Sequence, residues 1–576
     1  MPVIRKVEIT NFRSIKKLEW YPTVGMNCLI GAGDSGKSTI LDAIDLCLGA
    51  RRSANITDAD FFGLDVEQPI SITLLLGALG DSLRNYEAYG DYLCGYNADS
   101  KALEDEPGYG LETTLSLNLQ IEGDLELRWK LISKRAEEKG NERNLNWTDR
   151  VNLAPTRLGA MSDYNLAWRK GSVLTRLSEE KPDASKALTT AAREARKSFG
   201  DEAEKQLGDA LAVVNKAAGE LGIGIGANAK ALLDTHSVSV SGGSIALHNE
   251  QGVPLRGLGL GSTRLLIAGL QREVAATSSI LLVDEVENGL EPHRIIRLLG
   301  SLGAKTTPPP QQVFATTHSP IVLRELDHSQ LQVLRGHGNQ HYPLAVPQTA
   351  QGTLRAFPEA FLAPSVLICE GATEIGFMRG FEQHFVSQSV QSIFAAGTAL
   401  VDCGGGHPDR AYDRALEFAK LGYRTAVFRD DDLQPTPAKQ AELSGQNGST
   451  FTWNAGQSIE MALIGGASEP ILFQMIDYAI LEHGFELIAS HIQSASENAE
   501  HLEGLRAILS SPQHSITDAQ RSIVAIAAGS GKGWFKTVRY MEHIARTIIA
   551  PNFGSLTPAL QQQINGLLVW AQQRYG

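Results

Sequence analysis

Two stretches of the chain alternate short apolar runs with segments of helical spacing. In the first, residues 26–30 are nearly all apolar, and residues 38–48 place apolar side chains at helical intervals. In the second, the apolar run 366–369 precedes a helical pattern, and another apolar run follows at 425–428. Because strands buried on both faces are short and apolar, this pattern predicts two α/β regions, each built on a parallel sheet.

Other parts of the chain have different patterns. Further extended segments are expected at residues 7–10, 70–76, 112–130, 237–240, 244–247, 280–283 and 313–316. Residues 163–221 are charged and helical in spacing, which predicts an inserted helical arm. Four prolines lie between Pro343 and Pro364 with little periodicity, so we expect a linker there. Residues 469–576 are mainly helical in pattern.

The composition is typical of a globular chain with two or three domains. Of the 576 residues, 43% are hydrophobic and 20% are charged, and no apolar run is long enough for a membrane span. The N-terminus has no signal-peptide pattern, so we expect a cytoplasmic protein without membrane contact. The five cysteines lack CxxC spacing and are expected to be reduced core residues. A net charge of −13 argues against nonspecific coating of DNA but leaves room for local basic contacts to phosphate.

A glycine-rich turn follows the first apolar strand and reads GAGDSGKS. This is the complete GxxxxGKS pattern in its strand–turn–helix context. Backbone N–H groups of such a turn surround phosphates at a helix N-terminus, while Lys37 reaches the β and γ phosphates and Ser38 holds Mg²⁺. ATP and Mg²⁺ are the expected cofactors. The expected nucleotide-binding residues are Gly31, Gly33, Asp34, Ser35, Gly36, Lys37, Ser38 and Thr39.

A second half of the nucleotide site is expected after the apolar strand 280–283, which ends in Asp284 and Glu285. We assign Asp284 to nucleotide and metal binding, and Glu285 to polarising the attacking water. A buried strand that ends in solvated acids is the alternative for this segment alone. The glycine-rich turn upstream favours the catalytic interpretation.

Two single residues extend the pattern. His318 follows the strand at 313–316 and is expected to sense the γ-phosphate, and Arg13 precedes the glycine-rich turn within the sequence NFRS. In this order they resemble the switch histidine and N-terminal arginine turn of RecF and structural-maintenance-of-chromosomes (SMC) ATPases. Taken singly, a capped core histidine and a surface arginine are the alternatives.

Residues 258–264, LGLGSTR, begin a helix where ATP-binding cassette (ABC) ATPases carry their signature sequence. The stretch departs from the LSGGQ form, and a plain helix-capping turn is the alternative. The resemblance implies that Gly261 and Ser262 complete the ATP site of a second subunit, which would place ATP at a homodimer interface. No convincing Q-loop is present, and residues 60–62 occupy its approximate place.

Carboxylates follow both strands of the second region. Glu370 comes directly after the first strand, and Glu374 follows one helical turn later, so both can face one ion. Asp430 and Asp432 follow the second strand and share one side by two-residue alternation. Oxygen ligands of this kind suit Mg²⁺ or Mn²⁺. An acidic loop is the alternative for the run of three aspartates, but the whole pattern is similar to that of Toprim domains.

An ABC-type ATPase followed by a Toprim domain resembles the OLD (overcoming lysogenization defect) family of nucleases. The resemblance implies catalytic roles for Glu370, Asp430 and Asp432. It also implies two metal ions divided among Glu370, Glu374, Asp430, Asp432 and Glu460. For Glu460, an exposed helical acid is the alternative.

The same resemblance implies a catalytic lysine in the C-terminal part. Residues 531–536 read GKGWFK and offer Lys532 and Lys536. Solvated lysines beside a core anchored by Trp534 and Phe535 are the alternative. Implied partners are DNA, a second copy of the chain, and a helicase or reverse transcriptase in defence against phage.

The expected fold class is α/β, with an ABC-type P-loop ATPase domain that carries a helical insertion, then a Toprim α/β domain with a helical C-terminal region. The expected segments are residues 1–162 and 236–345 for the two parts of the ATPase domain, 163–235 for a helical dimerisation arm, 346–363 for a linker, 364–468 for the Toprim domain, and 469–576 for the helical C-terminal region.

The predicted function is an ATP-hydrolysing, divalent-metal-dependent DNA endonuclease or nickase whose ATPase regulates the Toprim domain. A RecF-like DNA-binding ATPase or repair scaffold with a non-catalytic Toprim domain is the alternative from another class. A topoisomerase-like strand passer is disfavoured, because none of the 13 tyrosines lies in a recognisable DNA-cleavage domain. The sequence leaves open whether ATP drives or inhibits cutting.

Overall fold

The computed structural model describes most of the chain. The described residues are 2–158, 206–216, 247–252, 254–273, 280–454, 456–510, 515–531 and 533–574, together with the single residues 166, 172, 174, 190 and 194. Residues 206–216 are helical. Most of the expected helical arm, most of the two strands expected between residues 237 and 247, and Lys532 lie outside the described residues.

The strands form at the short apolar or alternating segments of the sequence. Their bounds are β1 (Val3–Phe12), β2 (Ile15–Trp20), β3 (Met26–Ile30), β4 (Ile70–Gly77), β5 (Leu93–Tyr96), β6 (Leu103–Glu104), β7 (Glu112–Ile121), β8 (Leu127–Ile132), β9 (Thr156–Leu158), β10 (Ile280–Val283), β11 (Gln312–Thr316), β12 (Leu331–His337), β13 (Gln340–Ala345), β14 (Ser365–Cys369), β15 (Thr398–Asp402), β16 (Arg424–Arg429) and β17 (Ser449–Thr452).

The helices are concentrated in the C-terminal half. Their bounds are α1 (Lys37–Leu48), α2 (Tyr86–Tyr89), α3 (Lys134–Glu138), α4 (Trp147–Leu153), α5 (Leu260–Glu273), α6 (Pro292–Ser301), α7 (Pro320–Glu325), α8 (Gln351–Ala356), α9 (Ala372–Ser387), α10 (Asp409–Lys420), α11 (Pro437–Gly445), α12 (Ile459–Gly466), α13 (Glu469–His483), α14 (Phe485–Ala495), α15 (Leu502–Leu509), α16 (Asp518–Gly529), α17 (Val538–His543) and α18 (Pro558–Gln572). A π-helical stretch, Ile544–Ile549, continues α17.

The large sheet contains 13 strands among the described residues, in the order β6-β5-β7-β4-β1-β2-β13-β12-β3-β11-β10-β9, with β8 paired to β7. Its parallel part is β9-β10-β11-β3-β12. The neighbouring strands β1, β4, β5, β7 and β8 pair antiparallel and form the expected peripheral part. Because carboxyl ends of parallel strands meet at one edge, the segments after β3, β10 and β11 come together there.

The small sheet contains four strands within the described part of the chain, in the order β15-β14-β16-β17, all parallel. Alternate residues of β14 point into two different cores. Leu367 packs with the C-terminal helices, whereas Val366 packs with residues of the large sheet and α10. The small sheet therefore lies between the large sheet and the C-terminal helical region.

The linker expected at residues 346–363 is folded. It contains α8 and short 3-10 helices at Gln348–Ala350 and Pro358–Leu362, and Leu354 and Phe361 are buried in the core that the two sheets share. Pro358 occupies the start of a helical turn, where proline is compatible with helical backbone. The prolines that suggested a linker therefore include one that starts a packed turn.

All five cysteines are free and buried, as expected for reduced core residues. No helix among the described residues is both long enough and apolar enough to cross a bilayer.

Candidate nucleotide site and acid cluster

The glycine-rich turn connects β3 to α1, with Lys37 as the first residue of the helix. The Lys37 side chain is only 5% exposed, and its Nζ donates to Gly31 O at 3.2 Å, Ala32 O at 2.7 Å and Ser35 Oγ at 3.2 Å. Burial lowers the pKa of Lys37 to about 8. The turn thus places a buried ammonium group where the phosphates of a nucleotide are expected.

Asp284 contacts side chains from helix α1 and from strands β9 and β11. Its Oδ1 accepts from Ser38 Oγ at 2.9 Å and from Thr316 Oγ1 at 2.6 Å, while its Oδ2 lies 3.4 Å from an Arg157 guanidinium nitrogen. Ser38 and Asp284, which are 246 positions apart in the chain, are therefore brought together as the Mg²⁺ assignment requires.

Glu285 is exposed and has a backbone φ of 46°, a left-handed conformation that is uncommon for glutamate. Its N–H donates to Thr316 Oγ1 at 2.8 Å, so strand β11 holds this turn. Within the described part of the chain, its carboxylate receives one side-chain contact, from Asn288 Nδ2 at 3.5 Å. It remains accessible to a water molecule, as a role in hydrolysis requires.

His318 is exposed at the end of β11, and its backbone is fixed by an acid that the sequence reasoning missed. Glu287 accepts from the His318 N–H at 2.7 Å and from Thr317 Oγ1 at 2.6 Å. The available signal was the third acid in the run Asp284-Glu285-Val286-Glu287.

Arg13 is held beside α1 by two carboxylates. Its Nε donates to Asp60 Oδ1 at 2.8 Å, and its NH1 pairs with Asp42. Residues 60–62, the approximate place expected for a Q-loop, therefore contact the arginine turn.

The residue that reaches Asp284 from the neighbouring strand is Arg157 of β9, which the sequence reasoning also missed. Its NH1 lies 2.5 Å from Asp42 Oδ1, so Asp42 is shared with Arg13. Only the pairing of β9 with β10 places Arg157 at the site. Nothing in the short segment Thr156-Arg157-Leu158 indicates this in the sequence.

Gly261 and Ser262 begin α5 and face the loop after β10. A Cβ at Gly261 would lie 2.3 Å from Gly289 O, so this close approach requires glycine. The Ser262 hydroxyl accepts from Arg294 at 3.1 Å. Both residues therefore have packing roles within one chain, and their role toward a second subunit stays a prediction.

Arg264 fixes the same helix to the loop after β10. It is 1% exposed and donates to the carbonyl oxygens of Asp284 and Glu285, each at 2.9 Å, and of Asn288 at 2.8 Å. The three carbonyl acceptors take up the two terminal nitrogens of this buried guanidinium, while its Nε has no hydrogen-bond partner among the described residues. A movement of α5 would therefore be transmitted directly to Glu285.

At the small sheet, Glu370 and Asp430 follow the neighbouring strands β14 and β16. The Asp430 N–H donates to Glu370 Oε2 at 3.2 Å. Glu374 lies in the first turn of α9, is 3% exposed, and accepts from the Gly371 N–H at 2.9 Å. Parallel pairing of β14 with β16 thus places Glu370 beside Asp430.

Glu460 lies in the first turn of α12 and is fully buried. Its Oε2 accepts from Ser458 Oγ at 3.0 Å, while its buried Oε1 has no hydrogen-bond partner among the described residues. The neighbouring Ile459 N–H donates to Asp430 Oδ1 at 2.8 Å. The alternative of an exposed helical acid is therefore wrong.

We refer to five carboxylates as the acid cluster, namely Glu370, Glu374, Asp430, Asp432 and Glu460. Burial is the largest cause of the raised pKa of four of them, and a neighbouring carboxylate raises it further in each case. The pKa of Asp430 rises to about 8 through burial, then through Glu460, Glu370 and Asp432. Asp432 is exposed at the mouth of the cluster.

As the side chains stand, no group of three or more Asp, Glu, His or Cys residues in the described ranges is arranged to hold a metal ion. The members of the acid cluster thus lie close enough to raise one another's pKa, but their oxygens are not arranged as a metal coordination shell. Coordination of a metal ion would therefore require side-chain movements. A cation between these carboxylates would be stabilising, because buried carboxylates raise one another's pKa and a positive charge offsets their repulsion.

Asp431 has a different partner from Asp430 and Asp432. Buried Arg429 donates to Asp431 Oδ1 at 3.0 Å and to the Leu433 carbonyl at 2.8 Å, and so fixes the acidic loop. The second support is the turn at residues 404–406, whose three glycines all have positive φ. The Gly405 N–H donates to Glu370 O at 2.8 Å, which holds the backbone of that acid.

Of the two candidate lysines, only Lys536 belongs to the described residues. Trp534 and Phe535 are core residues, 2% and 1% exposed, and Lys536 is exposed beside them. Its charge is close enough to Glu460 to lower the pKa of that acid, against the larger effect of burial. A cation therefore faces the acid cluster from the C-terminal region.

Comparison with known families identifies the first of the two sites. Residues 3–165 match the family model "AAA ATPase domain", and residues 100–324 match "AAA domain, putative AbiEii toxin, Type IV TA system". Together with the geometry around Lys37 and Asp284, these matches identify an AAA-type ATPase domain, a class that uses ATP with Mg²⁺. A search of curated proteins found no match.

Several solved structures show weak similarity. The Smc head domain with an extended coiled coil, bound to the C-terminal domain of ScpA and derived from Pyrococcus furiosus, is 14% identical with a TM-score of 0.34, covering 62% of this chain and 100% of that chain. The recombination mediator protein RecF-ATPrS of the RecFOR pathway is 13% identical with a TM-score of 0.32, covering 60% and 98%. The SMC head domain from Thermotoga maritima is 13% identical with a TM-score of 0.29, covering 60% and 99%. Similarity this low supports no conclusion about this chain.

Proposed function

We propose that this ATPase also cuts DNA, as a divalent-metal-dependent endonuclease or nickase whose nuclease site is the acid cluster. In this proposal residues 364–468 form a Toprim domain, residues 469–576 complete it, and the chain is an OLD-type nuclease with an ABC-type dimeric ATPase. The observation that carries the proposal is the convergence of five carboxylates at one edge of the small sheet, with Lys536 facing them.

The chemistry of these side chains fits a divalent cation. Glu460 Oε1 is a buried carboxylate oxygen without a hydrogen-bond partner among the described residues. Burial and neighbouring carboxylates raise the pKa of Asp430 to about 8. A structural role would be better served by a neutral or paired side chain, because isolated buried charge is costly. Mg²⁺ or Mn²⁺ offers the missing partner to hard oxygen ligands.

The residues then divide among three roles. Glu370, Glu374, Asp430, Asp432 and Glu460 would hold two cations, a pair that stabilises the attacking and leaving oxygens of a phosphodiester. Lys536 would bind a nonbridging phosphate oxygen and offset charge that develops during cleavage. Arg429 and the glycine turn would keep the acid-bearing loops in position.

For the ATPase, we infer that two copies of the chain associate with ATP between them. Lys37, Ser38 and Asp284 would bind Mg²⁺–ATP within one copy, and Gly261 and Ser262 would approach the same nucleotide from the partner. Glu285 would activate the attacking water, and His318 would contact the γ-phosphate.

The setting we propose is defence against phage. The matched model named for an AbiEii toxin of a type IV TA system supports a defence role, together with the resemblance to OLD nucleases. A helicase or reverse transcriptase that supplies the DNA substrate would be the accompanying partner.

A plasmid assay tests the proposal. Purified protein is incubated with supercoiled plasmid and Mg²⁺ or Mn²⁺, with and without ATP, and the relaxed and linear products are measured. We expect metal-dependent conversion that a chelator stops, and a loss of at least 100-fold for Asp430→Asn. Asp413→Asn is the matched control, because Asp413 is an exposed acid paired with Lys439.

Cleavage by the wild type that survives unchanged in Asp430→Asn would contradict the assignment of the site. A wild type that binds DNA but never cuts it, under any combination of metal and nucleotide, would favour the RecF-like scaffold instead.

A further inference from the structure

A single arginine lies between the nucleotide site and the small sheet. Strand β12 pairs in parallel with β3, with Leu331 opposite Cys28 and Val333 opposite Ile30. Arg335 follows two residues after Val333, and its charge is close enough to Lys37 to lower the pKa of that ammonium group, in addition to the larger effect of burial. Leu334 O confirms the closeness, since it lies 2.9 Å from the position that a Cβ at Gly31 would take.

The Arg335 side chain points toward the small sheet. Its guanidinium carbon lies 3.7 Å from the centre of the Tyr423 ring, and its methylene stem lies against Gly422. One guanidinium nitrogen is 3.4 Å from Ala363 O, while the buried Nε has no hydrogen-bond partner among the described residues. The guanidinium is thus held by the Ala363 carbonyl oxygen and by the face of the Tyr423 ring.

The Tyr423 ring is held firmly in place by its neighbours. Tyr423 is 4% exposed, its hydroxyl donates to Phe361 O at 2.6 Å, and its ring packs edge-on against Phe361 and Phe418. A shift of the ring would therefore move a packed aromatic group rather than a free side chain.

Strand β16 begins directly after Tyr423 and ends directly before Asp430. Its six residues span about 20 Å, at roughly 3.3 Å per residue. At the far end, Phe428 O accepts from the Glu370 N–H at 2.9 Å. One strand therefore connects the arginine contact to two acids of the acid cluster.

We propose that Arg335 is a positioning residue that couples nucleotide at the ATPase site to the acid cluster through Tyr423 and β16. ATP phosphates beside Lys37 attract the Arg335 guanidinium, which then has two competing positions, over the Tyr423 ring or toward the phosphates. The two guanidinium positions differ in free energy by about the strength of a cation–π contact. Nucleotide is therefore expected to change the behaviour of β16 by about 3–30-fold. The consequence for DNA cutting rests on the proposed nuclease function, whereas the coupling itself does not.

Hydrogen–deuterium exchange tests the coupling without relying on cleavage. The full chain is compared with and without a non-hydrolysable ATP analogue and Mg²⁺, and exchange is followed in peptides that cover the phosphate-binding turn and β16. In the wild type, we expect the analogue to change exchange rates in both peptides, by about 3–30-fold in β16.

Variants separate the ring contact from general packing. Arg335→Met keeps the stem on Gly422 but removes the charge, and Tyr423→Leu removes the ring, so both should reduce the β16 response below about twofold. Both should retain the response of the phosphate-binding turn. Tyr423→Phe keeps the aromatic face and should retain both responses, as should Arg128→Met, which removes an exposed arginine from the peripheral strand β8.

An unchanged β16 response in both Arg335→Met and Tyr423→Leu would overturn the proposal. If Arg335→Met fails to fold, Tyr423→Leu and Tyr423→Phe still decide the point. In the plasmid assay, Arg335→Met should bring the ratio of cleavage with and without ATP close to one. A protein that cuts no DNA would refute the nuclease function, while the exchange experiment would still test the coupling.

Discussion

Replacing Asp430 by asparagine removes one charge from the acid cluster and keeps the shape of the side chain. Asparagine Oδ1 can still accept from the Ile459 N–H, which bonds Asp430 at 2.8 Å in the structure. The main change is therefore electrostatic. We expect the metal-free variant to be more stable than the wild type at neutral and alkaline pH.

The sign follows from the raised pKa of Asp430, about 8 in the fold against about 3.9 in an unfolded chain. Between these values the unfolded chain has released a proton that the folded protein retains. Ionisation therefore favours the unfolded state, and the cost grows as pH rises from about 4 toward 8. Below about pH 4 the cost is absent, because both states are protonated.

The linkage relation gives an upper bound of roughly 4 kcal/mol near pH 7 for this pair of pKa values. Glu460, Glu370 and Asp432 share part of that cost, and a buried amide has a desolvation cost of its own. We therefore expect the free energy of unfolding to rise by about 2 kcal/mol in Asp430→Asn.

Thermal unfolding in chelator near pH 5 and near pH 8 measures the effect. Tryptophan fluorescence reports on the relevant core, because Trp453 and Trp534 pack between the small sheet and the C-terminal helices. A gain of about 2 kcal/mol in the free energy of unfolding corresponds to a rise of roughly 4–8 °C in Tm for a domain of about 200 residues, the size of the region 364–576. Asp413→Asn is the control and should change Tm little at either pH.

Two results would refute this reasoning. One is an Asp430→Asn variant whose Tm does not rise relative to the wild type between pH 5 and pH 8. The other is stabilisation by Mn²⁺ that is equal in the wild type and the variant, since the variant lacks a proposed ligand.

Three further predictions concern the two sites separately. Lys37→Ala should abolish binding of a fluorescent ATP analogue, because it removes the ammonium group of the phosphate-binding turn. Glu285→Gln should retain ATP binding, lower hydrolysis by about 100-fold or more, and increase the dimer fraction in light scattering with ATP; normal hydrolysis would show that the site is misassigned. Lys536→Met should lower plasmid cleavage by about 100-fold while calorimetry shows unchanged Mn²⁺ binding, whereas Lys439→Met should leave cleavage unchanged.

The strands and the glycine-rich turn could be predicted because their local patterns are strong. Short apolar runs at β3, β10, β14 and β16 are bounded by turn residues, and GxxxxGKS encodes its own strand–turn–helix context. Glu370 and Asp430 were predictable for the same reason, since each directly follows an apolar strand.

Arg157 and Arg335 could not be found in this way. Arg157 acts at the site only because β9 pairs with β10, and Arg335 only because β12 pairs with β3. Such pairings join residues far apart in sequence and leave no local signal. The short helices within residues 346–363 could not be predicted, because prolines at helix starts resemble prolines in loops.

The burial of Glu460 also depends on tertiary packing. Its helix α12 begins with an ordinary Ser458 cap and would place the acid in solvent if nothing covered it. Packing against the small sheet and the C-terminal helices buries the side chain instead.

The central claim is that one chain carries an ATPase site and a separate nuclease site. The most direct test measures ATP hydrolysis and plasmid cleavage side by side in the wild type and in Asp430→Asn. We predict that the variant hydrolyses ATP within about twofold of the wild-type rate and cuts at least 100-fold more slowly. Wild-type cleavage by Asp430→Asn, or loss of both activities in a variant that is still folded, would contradict the account.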